Sequence, residues 1–205
     1  NREYMDLNLS NPPALTRVSS TKEALELLEN DPSFDFILTM YNIGEPDVFT
    51  FGRMVRERWQ IPVALLTSFS KDIYRRIEEQ DRSGLDYIFC WHGNADLIIA
   101  IIKLVEDKMN AAEDIEQGGV QAILLVEDSI RFYSSYLPEL YKLLLLQNTA
   151  FLKDAYNEQQ QILRKRARPK VLLATSYEEA ATLYDRYKKN LLGVISDVGF
   201  VMHPN

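Results

Sequence analysis

The sequence predicts an α/β protein made of two parallel-sheet units, and three observations lead to this fold class. Apolar runs of strand length alternate with amphipathic helical segments along most of the 205 residues. Residues 13–24 align without a gap on residues 169–180, which indicates an internal repeat. An acidic connector containing Gly118 and Gly119 separates the two alternating regions, so we place the boundary between residues 110 and 120. Such alternation is typical of parallel sheets covered by helices on both faces.

The first region contains four predicted strands, each followed by a predicted helix. Before them, residues 3–9 have the pattern of a helix end, closed by Pro12. Ser20 and Glu23 are spaced as a capping box at the start of the first full helix, and Pro32 follows its end. The predicted strands span 15–19, 34–40, 62–67 and 86–90, and the predicted helices span 21–28, 49–58, 71–79 and 96–109.

The second region starts the same alternation again. It opens with an apolar strand at residues 122–126, followed by a helical stretch over residues 130–166 that is much longer than the others. Pro138 lies where a first-turn proline would restart a helix after a break. The remaining predicted elements are strands at 171–174 and 192–196 and a helix at 177–188.

Composition and charge exclude several classes of protein. The 23 basic and 30 acidic side chains give a formal charge of −7, which argues against a nucleic-acid-binding protein. The lone cysteine, Cys90, cannot form an intramolecular disulfide, so we expect a cytoplasmic location. The most apolar window, residues 97–105, contains Lys103 and is far shorter than the about 20 residues of a membrane-spanning helix. No membrane insertion is expected.

Acidic residues follow two of the predicted strands in the second region. Glu127 and Asp128 come directly after strand 122–126, and Asp197 follows strand 192–196. Because ligands of open α/β sheets bind beyond the carboxyl ends of the strands, these carboxylates predict a Mg²⁺ site. The alternative is that they are solvated loop residues. A P-loop NTPase site is set aside, since the chain has no G-x-x-x-x-G-K-[ST] segment.

These segments resemble the receiver domains of two-component response regulators, which have a flavodoxin-like fold. Residues 123–129 are similar to the first strand of a receiver with its acid pair, and residues 194–197 to the third strand with the phospho-acceptor. The resemblance implies that Glu127 and Asp128 hold Mg²⁺, with the carbonyl of Gly199 completing the shell. It also implies that Asp197 is the nucleophile and metal ligand that receives a phosphoryl group from a histidine kinase or a small phosphodonor.

The first region resembles the same family but lacks its chemistry. Met40 stands where the phospho-acceptor is expected, and a thioether cannot accept a phosphoryl group. Thr67 matches the switch hydroxyl of the family, whereas Cys90 occupies the position of its lysine. We therefore interpret residues 1–115 as a degenerate receiver, or pseudo-receiver. Residues 120–205 are interpreted as the N-terminal part of a second receiver with the insertion 130–166, so that both copies are expected to be incomplete in this chain.

Two patterns in and near the insertion, one apolar and one basic, each have two interpretations. The apolar run 143–146 and an apolar stripe of helical spacing suit either packing against a protein partner or completion of the core; the stripe comprises Tyr133, Tyr136, Leu140 and Leu144. A homo-oligomer is also allowed. The basic run at residues 164–170 is interpreted as a solvated helix end that complements the helix dipole, in preference to a phosphate-binding patch.

The order of these features is similar to the region that precedes the PEP/pyruvate-binding domain in some bacterial pyruvate phosphate dikinase-like proteins. The segments that carry this resemblance are residues 17–24 and 191–198. It implies a regulatory front end that is not itself an enzyme, with a phosphotransferase domain outside this chain. Two functions stay open: a signalling module phosphorylated at Asp197, and a scaffold that regulates the attached catalytic domain without being phosphorylated.

Overall fold

The structure is a computed structural model that describes residues 14–68, 70–152 and 168–197. Within these ranges the chain forms six α-helices and two parallel sheets of three strands each. The elements of the first half are α1 (Thr21–Asn30), β1 (Ile37–Met40), α2 (Val48–Arg58), β2 (Val63–Ser68), α3 (Lys71–Glu78) and β3 (Tyr87–Trp91). Those of the second half are α4 (Asp96–Ala111), β4 (Ala122–Val126), α5 (Ile130–Leu152), β5 (Lys170–Ala174), α6 (Tyr177–Tyr187) and β6 (Leu191–Ser196).

The predicted fold class is confirmed, because both sheets are parallel and are connected through helices. The first sheet has the order β1-β2-β3, and the second has the order β5-β4-β6. In the second sheet the strand that comes first in the chain lies between the next two, which is the order of the first three strands in flavodoxin-like folds. The architecture is therefore consistent with two flavodoxin-like units.

The compact units of the structure divide the chain after Asn94, with residues 14–94 in one and residues 95–197 in the other. The sequence placed the boundary between residues 110 and 120, which assigned helix α4 to the first region. In the structure α4 packs against α5 and β5 of the second unit. The assignment of the two stretches as receiver domains stays a prediction, but α4 belongs with the second sheet.

The predicted strand at residues 15–19 is wrong, because these residues form no strand and Leu15 is 74% exposed. Parallel strands need a hydrogen-bonded neighbour. Within the described residues β1 pairs only with β2, and no strand pairs with residues 15–19. The helix end predicted at residues 3–9 lies outside the described residues.

The same capping box begins α1 and α6, the two helices that the internal repeat aligns. The Ser20 hydroxyl accepts a hydrogen bond from the N–H of Glu23 at 3.2 Å, and the Glu23 carboxylate accepts from the N–H of Ser19 at 2.8 Å. In α6 the Ser176 hydroxyl accepts from the N–H of Glu179 at 3.2 Å. The Glu179 carboxylate in turn accepts from the N–H of Thr175 at 3.0 Å. Each box satisfies N–H groups that a helix start leaves without partners.

Helix α5 runs without a break through Pro138, so the predicted restart at this proline is wrong. The helix ends at Leu152 in the described part of the chain, and residues 153–166 of the predicted insertion lie outside it. The predicted stripe is divided between two faces: Tyr133 and Leu144 are buried in the core, whereas Tyr136 is exposed. No helix among the described residues is both long and apolar enough to cross a membrane.

A buried charge network joins α4 to the start of β5. The carboxylate of Asp107 on α4 pairs with both terminal nitrogens of Arg168, at 2.6 and 2.9 Å. It also accepts hydrogen bonds from the hydroxyl of Tyr141 and the N–H of Val171, each at 2.9 Å. The ammonium of Lys170 lies 3.8 Å from the same carboxylate. Every one of these contacts comes from an element of the second unit, which explains why α4 packs there.

The network corrects the interpretation of the basic run. Arg168 and Lys170, predicted to be solvated, are buried, and the remainder of the run up to residue 167 lies outside the described residues. Burial disfavours the charged form of Arg168, but the adjacent Asp107 carboxylate outweighs this and raises its pKa above the usual value. Lys170 also pairs with Asp114 at 2.6 Å, so each buried cation of the pair has a carboxylate partner.

We predict that Asp107→Asn destabilises the second unit by about 3–5 kcal/mol, because it removes the carboxylate that pairs directly with the buried Arg168 guanidinium. Urea unfolding followed by far-UV circular dichroism measures this loss. The matched control is Glu116→Gln, which removes an ion pair with Arg186 between two half-exposed side chains and costs below about 1 kcal/mol. A loss for Asp107→Asn no larger than that of the control would contradict the prediction.

Candidate functional site

The candidate site lies at the carboxyl ends of β4 and β6, which are neighbouring parallel strands. Val126 and Ser196 are paired in register at this edge, so the next residues, Glu127 and Asp197, leave the sheet side by side. The N–H of Asp197 donates to the carbonyl of Val126 at 3.2 Å, and the N–H of Glu127 donates to the carbonyl of Ala174 on β5 at 3.0 Å. The backbones of all three strands therefore hold the two acidic residues at one edge.

The three acidic side chains differ in their exposure. Glu127 is only 3% exposed, whereas Asp128 and Asp197 are exposed. The N–H of Ser129 donates to the Glu127 carboxylate at 3.1 Å, and helix α5 begins at the next residue. A buried acid therefore lies beside two acids that solvent and a ligand can reach.

The acidic neighbours of Glu127 affect its protonation. Burial raises the pKa of Glu127 above its ordinary value, and the negative charges of Asp197 and Asp128 raise it further. The hydrogen bond from Ser129 acts in the opposite direction but does not cancel the effect. A site in which like charges raise the pKa of a buried acid is one that a bound cation would relieve.

The chemistry of the donor set suits Mg²⁺, which prefers carboxylate and carbonyl oxygens. Across residues 14–68, 70–152 and 168–197, however, no three His, Cys, Asp or Glu side chains are arranged so that they could hold a metal ion. Gly199, whose carbonyl the resemblance assigns to the metal shell, lies outside the described residues. The structure thus gathers Glu127, Asp128 and Asp197 at one sheet edge, and the Mg²⁺ site itself stays a prediction.

Ser129 and Ser196 are the polar residues of this edge that the sequence analysis did not single out. Ser129 donates its N–H to Glu127, and the hydroxyl of Ser196 donates to the carbonyl of Asp197 at 2.8 Å. The position of Ser129 directly after an acid pair and before a helix is a signal that could have identified it, because helix starts supply free N–H groups to carboxylates.

The corresponding edge of the first unit has no acidic residue at the aligned positions. Met40 ends β1 and is exposed where the acceptor is expected. Thr67 on β2 and Cys90 on β3 are paired in register, and both are buried. The structure therefore places these three residues at the predicted edge, with a thioether, a hydroxyl and a thiol in place of a set of carboxylates.

We predict that Glu127→Gln makes the protein more stable at neutral pH when divalent metal is removed with a chelator. Because the folded state raises the pKa of Glu127 above 4.5, the folded protein holds this proton more tightly than the unfolded chain does. The resulting contribution to stability is present below pH 4.5 and is lost as the pH rises through the folded-state pKa. The stability advantage of the variant should therefore vanish at acidic pH, as measured by urea unfolding at a series of pH values.

We also predict that Asp197→Asn lowers the pKa of Glu127, because it removes one of the negative charges that raise it. Carboxyl carbon shifts followed by NMR as a function of pH measure this titration directly. The amide keeps the shape of the side chain, so packing is matched between the two proteins. An unchanged Glu127 titration would show that the two carboxylates do not interact.

Comparison with protein-family models, curated proteins and solved structures finds no match to this chain. The geometry of the sheet edge is therefore what any assignment of function rests on. That edge combines a buried acid, two exposed acids and three parallel strands that hold them.

Proposed function

We propose that this chain is a regulatory signalling module of receiver type, in which Asp197 accepts a phosphoryl group in a Mg²⁺-dependent reaction. The observation that supports it most directly is the position of Glu127 and Asp197, which follow the paired ends of the neighbouring parallel strands β4 and β6. Three carboxylates at one edge of a parallel sheet suit a divalent cation and an anionic phosphoryl group, because the cation offsets charge that otherwise repels. The strand order β5-β4-β6 agrees with a receiver-like sheet.

The proposed step moves a phosphoryl group from a nitrogen or oxygen atom of the donor to a carboxylate oxygen of Asp197. A carboxylate oxygen of Asp197 forms a bond to phosphorus while the bond from phosphorus to the donor breaks, and the donor leaves with the electron pair. The donor is the phosphohistidine of a histidine kinase or a small acyl phosphate. Mg²⁺ held by Glu127 and Asp128 would screen the charge on the transferring oxygens. Asp197 is exposed, so a donor can reach it.

The second candidate function is that of a scaffold that regulates an attached PEP/pyruvate dikinase-like catalytic domain in the cytoplasm without being phosphorylated. One observation favours it for the first unit: Met40 and Cys90 stand at the sheet edge where a receiver has its acceptor and lysine. For this unit a binding role is the simpler proposal. For the second unit the acidic edge favours phosphorylation.

We predict that the protein incubated with acetyl phosphate and Mg²⁺ gains one phosphoryl group, and that Asp197→Asn abolishes this gain because an amide is not a nucleophile toward phosphorus. Intact-mass measurement detects the adduct. The control is Asp185→Asn, which alters an exposed carboxylate on α6 in the same unit and leaves the reaction unchanged. Equal phosphorylation of the Asp197→Asn variant would make the scaffold the better proposal.

The first unit should stay unmodified in the same experiment. Since Met40 cannot accept a phosphoryl group, peptides from residues 14–94 are expected to carry no phosphate. Peptide mapping by mass spectrometry under conditions that preserve acyl phosphates tests this. A phosphorylated peptide from residues 14–94 would refute the interpretation of the first unit as a pseudo-receiver.

A further inference from the structure

Strand β6 has the composition of an interior strand but lies at an edge of its sheet. In the part of the chain that the structure describes, it pairs only with β4. Leu192 and Val194 lie on one face of the strand and Ile195 on the other, and all three are between 48% and 55% exposed. Edge strands usually carry a charged residue or a proline, and β6 (Leu191–Ser196) contains neither.

The backbone groups on the open side of β6 are those of Val194 and Ser196. The N–H of Asp197 donates to the carbonyl of Val126 and therefore points toward β4. Because successive residues of a strand direct their N–H groups to opposite sides, the N–H groups of Val194 and Ser196 point away from β4. Among the described residues, β6 has no strand on that side.

The internal repeat identifies the strand of the first unit that is equivalent to β6. Residues 36–40 align on residues 193–197, shifted by one position from the alignment of 13–24 on 169–180. Strand β1 follows α1, and β6 follows α6, the two helices that begin with the same capping box. The two strands therefore occupy equivalent places in the repeat, but β1 pairs with β2 and β6 pairs with β4.

The equivalent strands bond to their neighbours through opposite backbone edges. Ile37 aligns on Val194, and its N–H donates to the carbonyl of Pro62 at 3.0 Å, which directs it toward β2. The aligned N–H of Val194 points away from β4. The open side of β6 is therefore the side on which β1 bonds to β2, and this conclusion does not depend on side-chain exposure.

The element that covers this side of β1 is an apolar strand preceded by an amphipathic helix. Strand β2 (Val63–Ser68) is buried over its first five residues. Helix α2 packs against it and buries Phe51 and Val55, among other residues. An element of this kind provides carbonyl acceptors for the open N–H groups of β6 and covers exposed apolar side chains at the same time.

We propose that the open edge of β6 is a docking site for a helix–strand segment of the α2–β2 kind, whose strand pairs in parallel with β6. The occupant is identified by its chemistry: an amphipathic helix followed by an apolar strand that bonds to Val194 and Ser196. In the first unit Met40 pairs with Leu66, and Asp197 aligns on Met40, so the docked strand ends beside Asp197. The proposal is independent of phosphorylation at that residue.

Amide hydrogen exchange in an extended protein tests the proposal. The extended protein is the whole chain followed by a second copy of residues 41–94, which supplies another α2–β2 segment; the longer connection costs little free energy. The amides of Val194 and Ser196 are expected to exchange at least about tenfold more slowly than in the unextended chain, because each gains a hydrogen-bond acceptor. Equal exchange rates in the two proteins overturn the proposal.

Substitutions at Val194 show whether the segment docks at this edge. In the extended protein Val194→Pro removes an N–H on the open side and should restore rapid exchange at Ser196, while the Asp197 amide, which bonds to β4, reports that the unit stays folded. The matched control, Val194→Thr, keeps the N–H and the branched shape and should retain slow exchange. Slow exchange at Ser196 in the proline variant would mean that the proposed edge is wrong.

A second variant guards against unfolding of the original chain. Ala64→Pro placed only in the added copy disrupts the docked strand and leaves the original residues unchanged, so the Ser196 amide should again exchange rapidly. The unextended chain distinguishes other occupants, because the proposal expects rapid exchange there at Val194 and Ser196. Slow exchange that is lost on dilution would assign the edge to a second copy, and slow exchange at every concentration to another segment of the chain; either result overturns the proposal.

Discussion

One buried carboxylate, that of Asp107, determines how the second unit is assembled. It gathers a guanidinium, a phenol hydroxyl and a backbone N–H, and so connects α4, α5 and the start of β5. A lone buried charge costs several kcal/mol, and only a complete set of partners offsets that cost. Helix α4 can therefore pack stably only where Arg168 is present. This requirement places it on the second sheet although it directly follows the last strand of the first.

The network also sets the position of the candidate site at the other end of the sheet. Val171, whose N–H bonds to Asp107, is paired in register with Ile123, and the same register places Ala174 beside Val126. The carbonyl of Ala174 then accepts the N–H of Glu127. The two ends of the sheet differ in net charge. Near Asp107 each carboxylate has a cationic partner. Near Glu127 the neighbouring charged groups are carboxylates. Ligand-binding and catalytic sites often contain such uncompensated charges.

Features that depend on local sequence were predictable, and features that depend on distant partners were not. The strand over residues 122–126 and the capping box at Ser20 and Glu23 are as predicted, because each rests on residues a few positions apart. The burial of Arg168 was missed, since its partner lies 61 positions away and a basic run by itself has the composition of a solvated surface. The strand at residues 15–19 failed for a related reason, because a strand exists only if a neighbour pairs with it.

The separation of 61 positions between Asp107 and Arg168 has a consequence for the order of folding during synthesis. Helices α1 and α6 start with capping boxes closed by residues at most four positions apart, so each can form as soon as it has been synthesised. Helix α4 instead carries a carboxylate whose counter-charge has not yet left the ribosome. Until β5 has been synthesised, burying the Asp107 carboxylate costs free energy, so α4 is more stable with this side chain in water. The second unit must therefore complete its core late, after most of its chain has been translated.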